Sequence, residues 1–387
     1  MSENRTITVI TPPGLEALTT AEMTALGIPP RPAPRVPEAG VLEVEGGLAE
    51  IARLNLHLRT ASRVVVRLGD FNAAAFSELR KKASRLAWAA YLTPGQPVTV
   101  RVTTHGSRLY HKKGIAERVA GAIGDALGAV PAVVAATDED AAGAPLILVR
   151  IAHNHCTVSI DSSGAHLHRR GYRLAVAKAP LRENLAAALV LASGWRPGRP
   201  LLDPCCGAGT IVIEAAMMAA GIPPGWSRSF AFAQWPSFDA AVWAAERAAV
   251  AAPALTGGVV AWGGDRDAGA IEAAQANALR AGVAARVAWA RRSVSDTEFP
   301  GSEGVVITNP PYGERVKGGP DLRNFYARLG AVIRGGGPGW SGLVLTSSPR
   351  WSGQLGGVVA PVVRFLNGGL PVTAYRVESG EEKEIPL

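Results

Sequence analysis

The chain has 387 residues, 48% of them apolar, and a formal net charge of +8; that length supports two or three domains with sizeable cores. Three cysteines (Cys156, Cys205, Cys206) exclude a disulfide framework. Without a second pair or a nearby His at ligand spacing they also exclude a structural zinc site, so no metal is expected. No apolar run reaches the length of a membrane span, and Met1 to Arg5 leads straight into a strand pattern with no signal-peptide character. A reducing, cytoplasmic setting and a monomer are expected. The charge is unevenly spread: residues 71–190 carry 15 Lys and Arg against 8 Asp and Glu. A basic middle beside a nearly neutral C-terminal half points to a polyanion held by one part and processed by another.

Residues 1–70 read as a small α+β unit. Ile7–Ile10 is predicted as a strand, Leu15–Leu26 as a helix capped by Gly27, and Pro29–Pro37 as a loop. Val41–Glu45 alternates as a strand, Leu48–Leu58 is a second helix and Arg63–Leu68 a further strand. Residues 71–160 form the basic unit. Phe76–Trp88 is predicted as a helix bearing Arg80, Lys81, Lys82 and Arg85, and Pro97–Val102 as a strand. The stretch Thr104–Gly114 leads into a helix at Ile115–Leu127; Arg108, Lys112, Lys113 and Arg118, with Tyr110 among them, have the chemistry to hold phosphates and stack on a base. Leu146–Ile151 and Cys156–Ile160 read as a closing hairpin.

This order of elements resembles the THUMP domain, an RNA-binding module, preceded by a ferredoxin-like unit. The residues that carry the resemblance are Thr11-Pro-Pro-Gly-Leu-Glu16, Leu56–Val64, and Ser107-Arg-Leu-Tyr110 running into Ile115-Ala-Glu117. The resemblance implies docking of the acceptor end of a tRNA, which agrees with the charge distribution.

Residues 161–194 are read as a linker. Asp161–Arg173 carries His166, His168, Arg169, Arg170 and Arg173, and Lys178–Asn184 opens a helix at Leu185–Leu191. The string from Ser163 to Leu189 is similar to the connector of THUMP-containing guanine-N2 methyltransferases. That likeness implies that Pro180 and Leu181 touch the cofactor and that Arg169, Arg170 and Arg173 meet RNA.

Residues 195–387 alternate strand and helix patterns, as a doubly wound sheet does. Strands are placed at Leu201–Leu202, Gly258–Trp262, Val287–Ala290, Gly304–Thr308 and Gly342–Thr346, with a last pair around Gly368-Gly369. The aromatic insertion Pro224–Phe238 is either a lid or packing. In such sheets ligands bind beyond the carboxyl ends of the strands, where the chemistry-bearing residues fall. Asp203-Pro-Cys-Cys-Gly-Ala-Gly-Thr210 is a strand end, a glycine turn and the start of a helix at Thr210–Ala220. No Lys-Ser or Lys-Thr follows the last Gly, which excludes a P-loop, and no third Gly completes the dinucleotide fingerprint. The pattern looks like the first motif of S-adenosylmethionine (SAM) methyltransferases, with Asp203, Cys205, Gly207, Gly209 and Thr210 at the cofactor. A carboxylate near SAM's ammonium makes chemical sense where a phosphate-binding lysine would not. Asp265 ends the next strand, where a carboxylate accepts from ribose hydroxyls; Arg266 follows it, and Asp267 is placed as a helix N-cap. Ser293 stands where an adenine-reading Asp is expected, leaving Asp296 or backbone atoms as substitutes.

Asn309-Pro310-Pro311-Tyr312 after the strand at Gly304–Thr308 is the most specific feature. An exocyclic amine is a weak nucleophile because its lone pair is delocalised into the ring. The Asn309 oxygen and the Pro310 carbonyl can accept its two N–H bonds and aim that lone pair at the sulfonium methyl. The prolines stiffen the loop, and Tyr312 can stack on a flipped-out base. The longer string through Gly313-Glu-Arg315 matches the same family and implies that Arg315 meets RNA backbone. The fold class expected is therefore α/β: a Rossmann-like class I methyltransferase domain preceded by a ferredoxin-like α+β unit and a THUMP domain. The function the resemblance implies is SAM-dependent formation of N2-methylguanosine in tRNA, or in 23S rRNA. Three rivals stay open: an adenine-N6 nucleic-acid methyltransferase, a protein-glutamine methyltransferase and a non-catalytic RNA binder.

Overall fold

The computed structural model describes residues 4–32, 39–135, 143–174, 181–250, 257–312 and 319–378. The chain divides into two compact units. The first holds residues 1–11, 20–167 and 227–250, the second residues 12–19, 168–226 and 251–387.

Among the described residues, the first unit is built on one mixed sheet of six strands: β1 (Arg5–Ile10), β2 (Val41–Gly46), β3 (Arg63–Asn72), β4 (Thr99–His105), β5 (Leu146–Ala152) and β6 (His155–Asp161), in the order β2-β1-β3-β6-β5-β4. The ferredoxin-like strands and the THUMP strands thus share a sheet. The seam is β3 against β6, antiparallel from Val65–Asp161 to Asn72–His155 with a register shift between Arg67 and Gly69, so β3 continues past residue 70. The helices are α1 (Glu16–Ala25), α2 (Leu48–His57), α3 (Phe76–Ala83) and α4 (Lys112–Leu127). α3 is shorter than its sequence predicts. Trp88 folds back under it, fully buried, and its indole N–H donates to the Ala83 carbonyl at 2.8 Å, occupying an acceptor the next helical turn would need. α4 starts earlier than predicted because the His111 ring nitrogen Nδ1 accepts the Gly114 N–H and caps it.

The second unit contains α5 (Glu183–Ala192), β7 (Leu201–Asp203) and α6 (Thr210–Ala219). The next helix, α7 (Ala240–Ala248), belongs with the first unit. There follow β8 (Ala261–Asp265), α8 (Ala268–Arg280), β9 (Val287–Arg291), β10 (Glu303–Thr308), α9 (Gly319–Gly335), β11 (Gly339–Thr346), α10 (Pro349–Ser352), β12 (Val358–Asn367) and β13 (Leu370–Glu378). The sheet order is β12-β13-β11-β10-β7-β8-β9. β7 to β11 are parallel; β13 pairs antiparallel with β11 and closes a hairpin with β12. This is the Rossmann-like sheet expected. Its direction of winding reverses between β7 and β10, which makes their carboxyl ends the crevice where a ligand fits.

One further expectation changes, and one open alternative closes. The second strand lies at Ala261–Asp265 and not at 258–262, because Gly263 and Gly264 are strand residues: a Cβ on Gly263 would stand 2.4 Å from the Trp289 ring. The aromatic insertion is packing and not a lid. Phe230, Phe232 and Trp235 are buried in the first unit's core, and Glu246 of α7 takes a bidentate pair of bonds from Arg53 at 2.9 and 2.7 Å.

Candidate active site

The site is assembled at the carboxyl ends of β7, β8 and β10. Asp203 ends β7 and is 1% exposed. Its Oδ1 accepts from the Cys205 N–H at 3.1 Å and from the Thr308 hydroxyl at 2.7 Å. Burial is the largest influence on its carboxyl and, against those two bonds, pushes its pKa up to about 7. The chain then turns through Gly207 and Gly209, both at positive φ, and Gly209 becomes the N-cap of α6. A Cβ on Gly209 would lie 2.5 Å from the Trp289 ring, so backbone conformation and space both demand glycine there. Gly209 offers no side chain to α6, which leaves the first N–H groups of that helix uncapped by any side chain. Asp265, at the end of β8, accepts from Gly207 N–H at 3.0 Å and Asp267 N–H at 2.9 Å, one bond to each oxygen. Each oxygen keeps a second lone pair for ribose hydroxyls. Asp267 caps α8 through Gly269 N–H, as its position predicts.

These features fit SAM. Uncapped N–H groups suit its carboxylate, a buried acidic side chain suits its ammonium, and the Asp265 oxygens suit its ribose. Cys205 and Cys206 are thiols pushed well above their usual range by burial, so they serve as wall and not as nucleophiles. Thr210 is buried at the helix start. Ser293 and Asp296, the two adenine-side candidates, are joined: the Ser293 hydroxyl donates to Asp296 Oδ2 at 2.7 Å on an exposed loop. The Arg266 side chain is exposed.

Asn309 follows β10 directly. Its Oδ1 is buried and accepts no hydrogen bond among the described residues. Pro310 is buried and Pro311 exposed. The Tyr326 hydroxyl donates to the Pro311 carbonyl at 3.3 Å and ties the loop to α9. Tyr312 is half-buried, and its hydroxyl accepts from Asn367 Nδ2 at 2.8 Å. Thr308 and Asn367 are absent from the site read off the sequence. Asn367 is the last residue of β12, more than fifty positions from Tyr312, and Thr308 looks like an ordinary strand residue.

Corrections fall on the connector. Arg170, expected to face RNA, is 2% exposed and lies 3.5 Å from Glu214, which is 0% exposed and also accepts from the Tyr172 hydroxyl at 3.0 Å. Arg173 pairs with Glu183 at 3.1 Å and donates to the Leu181 carbonyl at 2.9 Å. Leu181 itself packs in the core with Tyr172 and Leu185. Both arginines are spent on internal acids, because an unpaired cation at such depth is prohibitively costly. Arg169 is exposed. Pro180 and Arg315 lie outside the described residues.

In the first unit, Arg108, Lys112, Lys113 and Arg118 are exposed and Tyr110 is 75% exposed. A concavity of about 490 Å³ is lined by Thr104, His105, Arg108, Tyr110 and Asn154 among others. Its shape is fixed by the Asn154 side chain accepting the Arg108 N–H at 2.8 Å. Lys112 and Lys113 occupy the first turn of α4, where the helix dipole disfavours cations and an anion would be welcome. Lys81 is exposed, but Arg80 is held by Asp125 at 2.7 Å and Lys82 donates to the Asn72 carbonyl at 2.7 Å. Arg118 lies over the Phe76 ring.

Comparison with known proteins identifies the domains. Residues 170–352 match the RMKL-like methyltransferase domain, residues 6–65 the RlmL ferredoxin-like domain and residues 73–161 the THUMP domain. The chain is 34% identical, over 94% of its length and 94% of the relative's, to a putative RNA methyltransferase of Synechocystis. It is 34% identical over 96% of its length to a ribosomal RNA large subunit methyltransferase K/L of Syntrophotalea carbinolica; the chain spans 53% of that longer protein. A crystal structure of SMU.472, a putative methyltransferase complexed with S-adenosylhomocysteine, covers 99% of this chain and 100% of its own, with a TM-score of 0.84 and 28% identity.

Proposed function

The chain belongs to the RNA methyltransferases that join a THUMP domain to an RMKL-like methyltransferase domain, and from that premise we propose that it methylates the exocyclic N2 amine of a guanine in large-subunit ribosomal RNA. SAM is the cofactor, and when bound it supplies an electrophilic methyl group on a sulfonium. The observation that carries the choice of an amine is Asn309 Oδ1, buried at the end of β10 with no partner among the described residues. A buried acceptor left unbonded costs about 1–3 kcal/mol, so the fold holds it ready for a donor from outside. An exocyclic amine brings two N–H bonds: Asn309 Oδ1 accepts one and the Pro310 carbonyl the other. Held so, the nitrogen lone pair turns out of the base plane toward the crevice. The chain contributes position and electrostatics; a strong general base is not needed. Tyr312, its hydroxyl pinned by Asn367, presents a ring for the flipped base.

RNA is held by the exposed cations Arg108, Lys112 and Lys113 around Tyr110, acting on phosphates and on a base face. Large-subunit rRNA is favoured over tRNA, to which the THUMP resemblance first points, because the K/L relatives that span this chain bear that name. The test is to incubate the full chain with SAM and, separately, rRNA and tRNA from cells lacking the gene, then identify methylated nucleosides by mass spectrometry. N2-methylguanosine in the large-subunit rRNA is expected. The same nucleoside in tRNA alone refutes the rRNA assignment, and N6-methyladenosine refutes guanine. Methyl transfer to protein, or to nothing, sinks the reading altogether.

A further inference from the structure

Resting on that reading of Asp203 and Asn309, we infer that the Thr308 hydroxyl is a positioning group that ties the cofactor carboxylate of β7 to the catalytic end of β10. Thr308 is fully buried, the residue immediately before Asn309, and its hydroxyl donates to Asp203 Oδ1 at 2.7 Å. The parallel register brings them together: Val306 lies opposite Leu202, so the last residues of the two strands emerge side by side. The bond does two things. It fixes the strand end that carries Asn309 against the start of the glycine turn. It also decides how Asp203 meets a cation. Among the described residues, both bonds to this carboxylate, from Thr308 and from Cys205 N–H, fall on Oδ1 and none on Oδ2. Oδ2 is thereby left for an incoming ammonium, while Oδ1 is satisfied from within.

The same hydroxyl acts on the charge of the site. Burial raises the Asp203 pKa to about 7, and the Thr308 bond is the foremost influence opposing that rise. SAM's ammonium binds the ionised form, so affinity for SAM climbs as pH rises through that region, and binding releases a proton. Removing the Thr308 donor raises the carboxyl further, weakens SAM near neutrality and moves the climb to higher pH. A side chain that merely filled space between β7 and β10 would not move the pH profile.

The experiment is calorimetric titration of the full chain with SAM from about pH 6 to about pH 9, which spans that pKa. It needs no RNA substrate. Thr308→Val keeps shape and loses the hydroxyl; Thr308→Ser keeps the hydroxyl and loses a methyl. Thr308→Val is expected to bind SAM several-fold more weakly at and below neutral pH, and to recover toward wild type in alkali. Thr308→Ser is expected to track wild type. In an Asp203→Asn background, Thr308→Val should leave SAM affinity and its pH dependence unchanged. Thr308→Val indistinguishable from wild type at every pH overturns the inference and leaves the SAM site standing. Equal loss in Thr308→Val and Thr308→Ser, or an undiminished effect in the Asp203→Asn background, overturns it too. A wild-type chain that binds no SAM refutes the cofactor reading itself.

Discussion

Arg170 and Arg173 in the connector and Arg108, Lys112 and Lys113 before and within α4 look alike in the sequence: short runs of cations beside an aromatic residue. Their environments are opposite. The connector arginines are sunk beside Glu214 and Glu183 and bind the chain to itself. The loop and α4 cations are exposed around Tyr110 at an open concavity. A cation in water is free to choose a partner; a cation in a core has already been assigned one. Asn309 makes a third case: its Oδ1 is buried like the first group and accepts no hydrogen bond among the described residues. Under the proposed function, the substrate amine completes that oxygen.

Three variants separate these cases. Arg170→Ala leaves Glu214 buried without its cation and is expected to cost about 3–5 kcal/mol of stability in a denaturant titration, the usual result of breaking a buried pair. A loss below about 0.5 kcal/mol, the range of ordinary surface changes, would erase the contrast. Asn309→Ala should keep SAM affinity and stability but lower the turnover of RNA by about 10²–10³, comparable to removing one group that stabilises a transition state. Near-normal turnover would show that the orphaned oxygen is idle. The smallest effect is expected at the surface. Tyr110→Ala combined with Lys112→Ala should leave the unfolding curve in place, weaken RNA binding by about 1–3 kcal/mol through lost stacking, and flatten the dependence of affinity on salt by about one phosphate contact. An unchanged salt slope would remove Lys112 from the RNA surface.

Local patterns carried much of this site. The turn from Asp203 to Thr210 and the run from Asn309 to Tyr312 were legible because glycines, prolines and an amide at fixed spacing have few other uses, and each falls at a strand end. The helix lengths were less so. Where α3 stops depends on Trp88 returning to the Ala83 carbonyl, and where α4 starts depends on a histidine ring capping it. Neither bond is a propensity. The second strand was displaced in the reading because Gly263-Gly264 resembles a turn, until Trp289 is seen to occupy the space a side chain would need.

The sequence by itself determined the kinds of domain, the glycine turn, and the run of amide and prolines after β10, since these rest on backbone conformation and on chemistry that travels with short motifs. Only the tertiary structure decided that the ferredoxin-like and THUMP strands make one sheet, that Arg170 and Arg173 are internal, and that Thr308 reaches Asp203 across 105 positions of chain. Burial and long-range hydrogen bonding belong to pairs of distant residues, and a charge or hydroxyl shows which role it has only when its neighbours are in place.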